Sequence, residues 1–328
     1  MSVKLLTPAA LIVFGWLWGA SPAAAQSSSN APPTPRPWGR VSFFTSSART
    51  TLSDGTNSTI SELSTAISYQ LPDRDVTRAE YGFDMRHATY PSATRADRVS
   101  IYEAFAGARL ADGAFRLKIG YLSLTDVGTL GSVAGSLIEV AGRRNAPGAA
   151  RLRGGVFGGF EPNLLETGYA PHVRKFGGYV TYDGAGARRH SLGLVTVRNR
   201  SLTERTALTT STFLPVGQKL FVYQSAEYDL QAPAGQAGRG LTYFFTTARA
   251  RVTDRFELQG QYNRGHSIDV RGLSENILAG RPVSQAAAEG LLYSSVGGRA
   301  TMRVLPTVRL YGGYASDRNS RDAEASGH

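Results

Sequence analysis

Charged and amide side chains recur at every second position in several segments of this chain. Between residues 256 and 263 the odd-numbered positions are Glu257, Gln259, Gln261 and Asn263, and the even-numbered ones are apolar, aromatic or glycine. A β-strand places successive side chains on opposite faces, so this spacing gathers the polar groups on one face. Rows of acids and arginines on one face set a local field that steers ions. Where water is scarce, the same groups would instead pair into a static plug.

The candidates for such a face lie on the polar side of the predicted strands. Glu80, Asp84 and Arg86 would share one face of a strand, as would Arg299 and Arg303. If the opposite, apolar face meets lipid, these residues line an enclosed lumen. The full set of candidate lumen-lining residues is Glu80, Asp84, Arg86, Arg116, Lys118, Arg153, Glu257, Gln259, Gln261, Arg299, Arg303 and Arg309.

Little else in the sequence has the spacing of a catalytic or metal site. The five histidines are widely separated, and both the HExxH motif and a glycine-rich phosphate loop are missing. The chain has no cysteine, which excludes disulfides and thiolate metal sites. A Ser-His-acid triad assembled across strands stays open, although no nucleophile-elbow pattern supports it. We therefore predict no catalytic residue, no cofactor and no enzyme activity.

The N-terminus predicts export. A basic start at Lys4 precedes an apolar run to Ala20, and small residues lead to a cleavage site between Ala25 and Gln26. The apolar run is shorter than the roughly 20 residues that a membrane-spanning helix needs. We interpret residues 1–25 as a signal peptide, 26–37 as a flexible periplasmic leader and 38–328 as one folded domain.

The elements that must position the polar face are short strands joined in a regular rhythm. The predicted strands are 38–48, 59–71, 78–90, 98–111, 114–125, 134–143, 151–161, 174–183, 189–200, 205–215, 218–231, 240–253, 255–267, 290–304 and 307–316. Short turns follow the even strands, and longer polar loops mostly follow the odd ones, as in up-and-down membrane barrels. The sequence predicts an all-β, antiparallel, up-and-down transmembrane β-barrel of about 16 strands.

Three points of this assignment have alternatives. The fifteen strands are an odd number, whereas bacterial barrels close with an even one, so we expect either a truncated chain or a miscount at 134–143 or 205–215. The segment Ser61–Leu71 would also suit a helix face. The loop Ile268–Glu289 should contain short helical pieces that fold inward or cap the rim, and we favour the cap.

The net charge of +11 comes almost wholly from arginine. Nucleic acid is the weakest candidate partner and we expect none, because the cations are spread singly along strands and exported proteins rarely meet it. Anionic solutes or acidic headgroups fit better, but solvated faces of an arginine-rich protein would look the same.

Together, the small-residue cleavage site, the period-two strands and the alternating loops resemble the porin-like outer-membrane β-barrels of Gram-negative bacteria. The resemblance implies a passive channel for small solutes in the cell outer membrane, with a possible anion preference. It also implies contact with outer-membrane lipid and with the export and barrel-assembly machinery, and leaves the oligomeric state open. The alternatives are a barrel without a channel, with a structural or loop-mediated binding role, and a secreted soluble β-sandwich or adhesin.

Overall fold

The structure is a computed structural model. It describes residues 38–51, 57–70, 79–91, 96–111, 113–143, 149–163, 167–217, 219–231, 240–267, 269–283, 290–305 and 308–319. The predicted signal peptide, its cleavage site at Ala25 and Gln26, the leader and the polar end of the chain lie outside these residues.

Fifteen strands account for most of the described residues. They are β1 (Trp38–Thr51), β2 (Asn57–Gln70), β3 (Ala79–Thr89), β4 (Arg98–Leu110), β5 (Phe115–Ser123), β6 (Ser132–Ala141), β7 (Arg151–Pro162), β8 (Tyr169–Asp183), β9 (Arg189–Asn199), β10 (Leu202–Val216), β11 (Leu220–Gln231), β12 (Gly240–Arg251), β13 (Phe256–Ser267), β14 (Leu291–Arg303) and β15 (Arg309–Asn319). One α-helix, α1 (Val270–Leu278), lies between β13 and β14, and 3₁₀ turns occur at Thr125–Gly131 and Ala185–Ala187.

The strands form one sheet in sequence order, and every neighbouring pair is antiparallel. The predicted up-and-down fold is confirmed, and all fifteen predicted strands are present, including the two suspected miscounts. Residues 61–70 are part of β2, so the helical alternative is wrong there. All fifteen strands belong to one sheet, which excludes the β-sandwich alternative, because a sandwich consists of two packed sheets. Within the described residues the sheet is open between β1 and β15 rather than closed by a sixteenth strand.

The two faces of the sheet are chemically opposite. On the apolar face large side chains are exposed, such as Ile119 (66%), Val156 (60%) and Leu194 (45%). On the other, which we call the polar face, ionisable side chains such as Glu139 and Glu227 are buried. A protein in water would leave far less contiguous apolar surface exposed. The arrangement is that of an outer-membrane barrel wall, where lipid covers the apolar face.

The connections follow the predicted alternation with three exceptions. The even strands β2 and β6 are followed by eight and nine residues, 71–78 and 142–150, more than the five that follow the odd strand β1. The odd strand β9 joins β10 through only Arg200 and Ser201. Arg200 has φ +53°, which fits the tight hairpin turns whose central residues need positive φ. No helix within the described residues is long and apolar enough to cross a membrane.

Glycines inside the strands make room for aromatic rings. A Cβ atom on Gly155 would lie 2.6 Å from the ring of Tyr179 on β8, so only glycine permits that ring to cross β7. Glycine inside a strand thus gives space for packing against an aromatic neighbour. The ring position matters for the site, because it carries the Tyr179 hydroxyl to Glu139 on β6.

Candidate functional site

The register places all twelve predicted lumen-lining residues on the polar face, but it does not gather them into one site. Glu80, Arg116, Lys118 and Arg153 belong to a buried ion-pair network on β3–β9. Asp84 accepts a hydrogen bond from Ser68, and Arg86 pairs with Glu62. The remainder lie on β13–β15, where Glu257, Gln259 and Gln261 follow one another and Arg299, Arg303 and Arg309 occupy the neighbouring strands. That these residues line an open lumen stays a prediction.

The loop between β5 and β6, Thr125–Gly131, folds back over the polar face, and we call it the inner loop. The backbone N–H of Leu124 donates to the Gly131 carbonyl at 2.9 Å, which closes its base. Val127 is completely buried, against Gly193 of β9, and Thr129 donates to Glu227 of β11. Beneath the loop is an apolar cluster of Leu122, Leu124, Val127, Val133, Leu137, Phe157, Tyr179 and Val195.

Asp126 fixes the inner loop to three strands. Its carboxylate accepts hydrogen bonds from Arg153 Nη2 of β7 at 2.9 Å and from the hydroxyls of Thr181 at 3.0 Å and Ser191 at 3.2 Å. Asp126 is 9% exposed. Charge-assisted hydrogen bonds of this kind are stronger than neutral ones, and here they hold the loop against the wall.

Arg153 is the centre of the buried network. Its guanidinium donates to Asp183 at 2.7 Å, to Glu139 at 2.6 Å and to Asp126 at 2.9 Å. Tyr179 adds a hydrogen bond to Glu139 at 2.5 Å. One cation thus serves three carboxylates from β6, β8 and the inner loop. A buried charge needs such pairing, because desolvation alone would cost several kcal/mol.

A second centre is Glu80, which is 5% exposed. It pairs with Arg109, with Arg116 at 2.8 Å and with Lys118 at 3.8 Å. The Lys118 ammonium also lies 3.7 Å from the centroid of the Phe105 ring, a cation–π contact. A polar cavity of about 270 Å³ joins the two centres, lined by Arg109, Arg116, Arg151, Arg153, Arg189, Asp126, Glu139 and Asp183.

Helix α1 makes the third set of charged contacts. Asp269 caps it by accepting from the Gly272 N–H at 2.8 Å. Arg271 bridges Glu161 at the end of β7 and Glu204 at the start of β10, the latter at 2.7 Å. Partial burial lowers the pKa of the Arg271 guanidinium, but these two carboxylates outweigh it and hold the pKa above its usual range. Arg271 therefore stays charged.

The helix also uses neutral groups. Ser274, fully buried, donates to Glu204 at 2.5 Å and accepts from Asn199 at 3.1 Å. Glu204 and Asn199 both belong to the polar-face side of the sheet, where they are buried. Glu161, Asn199 and Glu204 lie within three residues of the ends of β7, β9 and β10, so this part of the 268–289 loop covers the polar face at the rim of the sheet.

The histidines do not converge. Among described residues, His190 lies 3.2 Å from the Thr212 hydroxyl and His172 lies 4.0 Å from Glu275. The described part of the chain has no group of three metal-ligating side chains. The absence of enzyme activity stays a prediction.

An antiparallel sheet in sequence order, with an exposed apolar face, a charged opposite face and a loop folded onto the latter, defines the architecture of a porin-like outer-membrane β-barrel. No model of a known protein family matches the chain, and no curated protein does.

Three solved structures to which the chain is similar are porins. An anion-selective porin from Comamonas acidovorans is 14% identical, with 87% of this chain and 90% of that one covered and a TM-score of 0.43. OccK2 (OpdF) from Pseudomonas aeruginosa is 12% identical, with 86% and 92% covered and a TM-score of 0.45. A BenF-like porin from Pseudomonas fluorescens Pf-5 is 10% identical, with 87% and 94% covered and a TM-score of 0.45.

Proposed function

We propose that this protein is a passive outer-membrane channel for small solutes with a preference for anions. The observation that carries the proposal is the division of the sheet into an exposed apolar face and a face of charged and amide side chains. In a closed barrel the second face surrounds water, and charged groups there act on passing ions.

The inner loop and α1 support a selective channel rather than a wide one. Both lie on the polar face, the inner loop against β8–β11 and α1 against β10. They narrow the lumen and leave the opposite sector, β12–β15, as the free wall. The anion preference rests on the net charge of +11 and on the arginines of the polar face.

The test is conductance. Purified protein inserted into a planar bilayer should carry ion current in discrete steps, and it should migrate differently on a gel before and after boiling, as folded barrels do. A heat-modifiable protein without current would remove the channel and keep the barrel.

The same outcome would select the second candidate, a barrel with a structural role. The observation favouring it is the buried network around Arg153 and Glu80, which together with the apolar cluster covers part of the polar face between β3 and β9. Normal insertion with no solute flux would establish this role.

Substitution of Gly193 by Val tests whether the inner loop narrows the lumen. A Cβ atom on Gly193 would lie 2.6 Å from Val127 Cγ1 and 2.7 Å from Thr209 Oγ1, so the inner loop must move off the wall. Exposure of the buried Val127 side chain would lower the stability of the docked loop by about 1.5–3 kcal/mol. We expect a larger single-channel conductance and new protease cleavage within the loop.

The matched control is Gly260→Val on β13, because Gly260 has nothing within 4 Å of its Cβ position. Gly260→Val should conduct like the wild type. Equal conductance in both variants would show that the inner loop does not limit the current.

A further inference from the structure

Most arginines of the polar face are neutralised by a carboxylate. Within the described ranges Arg299, Arg303 and Arg309 on β14 and β15 are not, and of these three it is Arg299 that lines a recess. The ion pairs are Arg86 with Glu62, Arg109 and Arg116 with Glu80, Arg153 and Arg189 with Asp183, Arg205 with Glu227 and Asp229, and Arg249 with Glu257. Glu257, on the strand beside Arg299, is thus already held by Arg249 at 2.6 Å. Among the residues that the structure describes, Arg299 has no carboxylate partner.

An aromatic ring holds Arg299 in place without removing its charge. The guanidinium carbon lies 4.5 Å from the centroid of the Tyr311 ring on β15. A cation–π contact orients the side chain and leaves its hydrogen-bond donors free for another group. Arg299 is exposed on the polar face, so a solute can reach it.

A recess of about 460 Å³ surrounds the guanidinium. Gln259 and Gln261 of β13 form one side of it, and their amides have no hydrogen-bond partner within the described part of the chain. Gln261 pairs with Gly297, and Arg299 pairs with Gly313. Because both partners are glycines, no side chain fills the recess at these two positions. The recess thus combines one unpaired cation, two amides and open space.

We infer that this recess is an anion-binding subsite and that Arg299, rather than the buried arginines, sets the charge selectivity of the channel. The inference rests on the channel function proposed above. The ligand is a small oxyanion, a carboxylate or a phosphate, because a guanidinium matches either group with two parallel hydrogen bonds. The amide N–H groups of Gln259 and Gln261 are further donors to the same oxygens.

The buried arginines are poorly suited to this task. Arg153 is 6% exposed and its guanidinium is bound to three carboxylates, so a passing anion meets little uncompensated charge there. A new ligand would have to displace existing ion pairs. At Arg299 it displaces only water.

The experiment compares reversal potentials of single channels in a KCl gradient. Arg299→Gln should lower the anion-to-cation permeability ratio about threefold, the effect of one charge acting across several ångströms of water. Arg264→Gln is the matched control, because Arg264 lies on the apolar side of β13, is exposed, and loses the same charge. Arg189→Gln removes an arginine that is already paired with Asp183. Neither control should change the ratio.

Inorganic phosphate and acetate distinguish the two oxyanions. Each is added to a chloride solution, and the anion that binds the recess should reduce the chloride current of the wild type and of Arg264→Gln but not of Arg299→Gln. Gly297→Val fills the recess while Arg299 remains, since the atoms nearest to its Cβ would belong to the flexible side chain of Gln261, at 3.2 Å. We expect it to lose the inhibition and keep the charge preference.

The outcomes separate the two proposals. A wild-type protein that inserts without current would overturn the channel function, and the subsite with it. Current with an unchanged permeability ratio in Arg299→Gln would overturn the subsite alone. If neither anion inhibits the current, Arg299 acts only through its electrostatic field, and the proposed binding subsite is contradicted.

Discussion

Substitution of Arg153 by Met is expected to lower the free energy of unfolding by about 3–5 kcal/mol, because it breaks a buried ion pair on one side only. Met has a similar volume, so the loss is electrostatic rather than a cavity. Asp126, Glu139 and Asp183, all less than 10% exposed, would keep their burial and lose their shared cation. The inner loop would lose its anchor to β7 as well.

Equilibrium unfolding in urea from detergent micelles measures this loss. The control is Arg189→Met, which removes a guanidinium from the same Asp183, at 3.1 Å, but from a side chain that is 47% exposed. Exposed pairs contribute about 0–1 kcal/mol. Similar losses in both variants would show that the network around Arg153 is not the electrostatic centre of the fold.

Substitution of Arg271 by Met should release α1 from the wall. Glu204 and Glu161 would both lose their partner in the helix, and hydrogen bonds to charged groups contribute about 1.5–3 kcal/mol each. Because α1 contacts the sheet mainly at β10, we expect local opening rather than global unfolding. The expected results are proteolysis within 270–278 and a larger conductance.

Arg281→Met is the control, since Arg281 is exposed in the same loop and has no ion pair within the described residues. A double variant with Glu204→Gln should open α1 little further than Arg271→Met alone, because both changes remove the Arg271–Glu204 pair and a glutamine oxygen can still accept from Ser274. Resistance of α1 to protease in Arg271→Met would mean that Ser274 and Asn199 are sufficient to hold it.

The strands could be predicted because the alternation of apolar and polar residues within a single segment is sufficient to identify it. In β13 the alternation of Leu258 and Tyr262 with Gln259 and Gln261 determines both the strand and its two faces without reference to the rest of the chain. The same period would have indicated Glu139 and Asp183 as polar-face residues, at odd positions of β6 and β8. We missed them because neither stands in a conspicuous polar row.

The inner loop could not be predicted in the same way. The predicted strands 114–125 and 134–143 leave 126–133 as a simple connection, whereas Thr125–Gly131 folds onto the wall. The fold of this segment depends on partners up to 98 residues away, such as Glu227 for Thr129. Glu204 was missed for a related reason, since the pairing of β10 with β9 shifts between Thr203 and Arg205 and interrupts the period of two.

The most direct test of the central claim uses the absence of cysteine from the chain. Single cysteines at 258, 259, 261 and 262 of β13 would be exposed in liposomes to a lipid-soluble and a water-soluble thiol reagent. We expect the lipid-soluble reagent to label 258 and 262 and the water-soluble one to label 259 and 261. Labelling of 258 and 262 by the water-soluble reagent alone would show that the apolar face does not lie in the bilayer, which contradicts a membrane barrel.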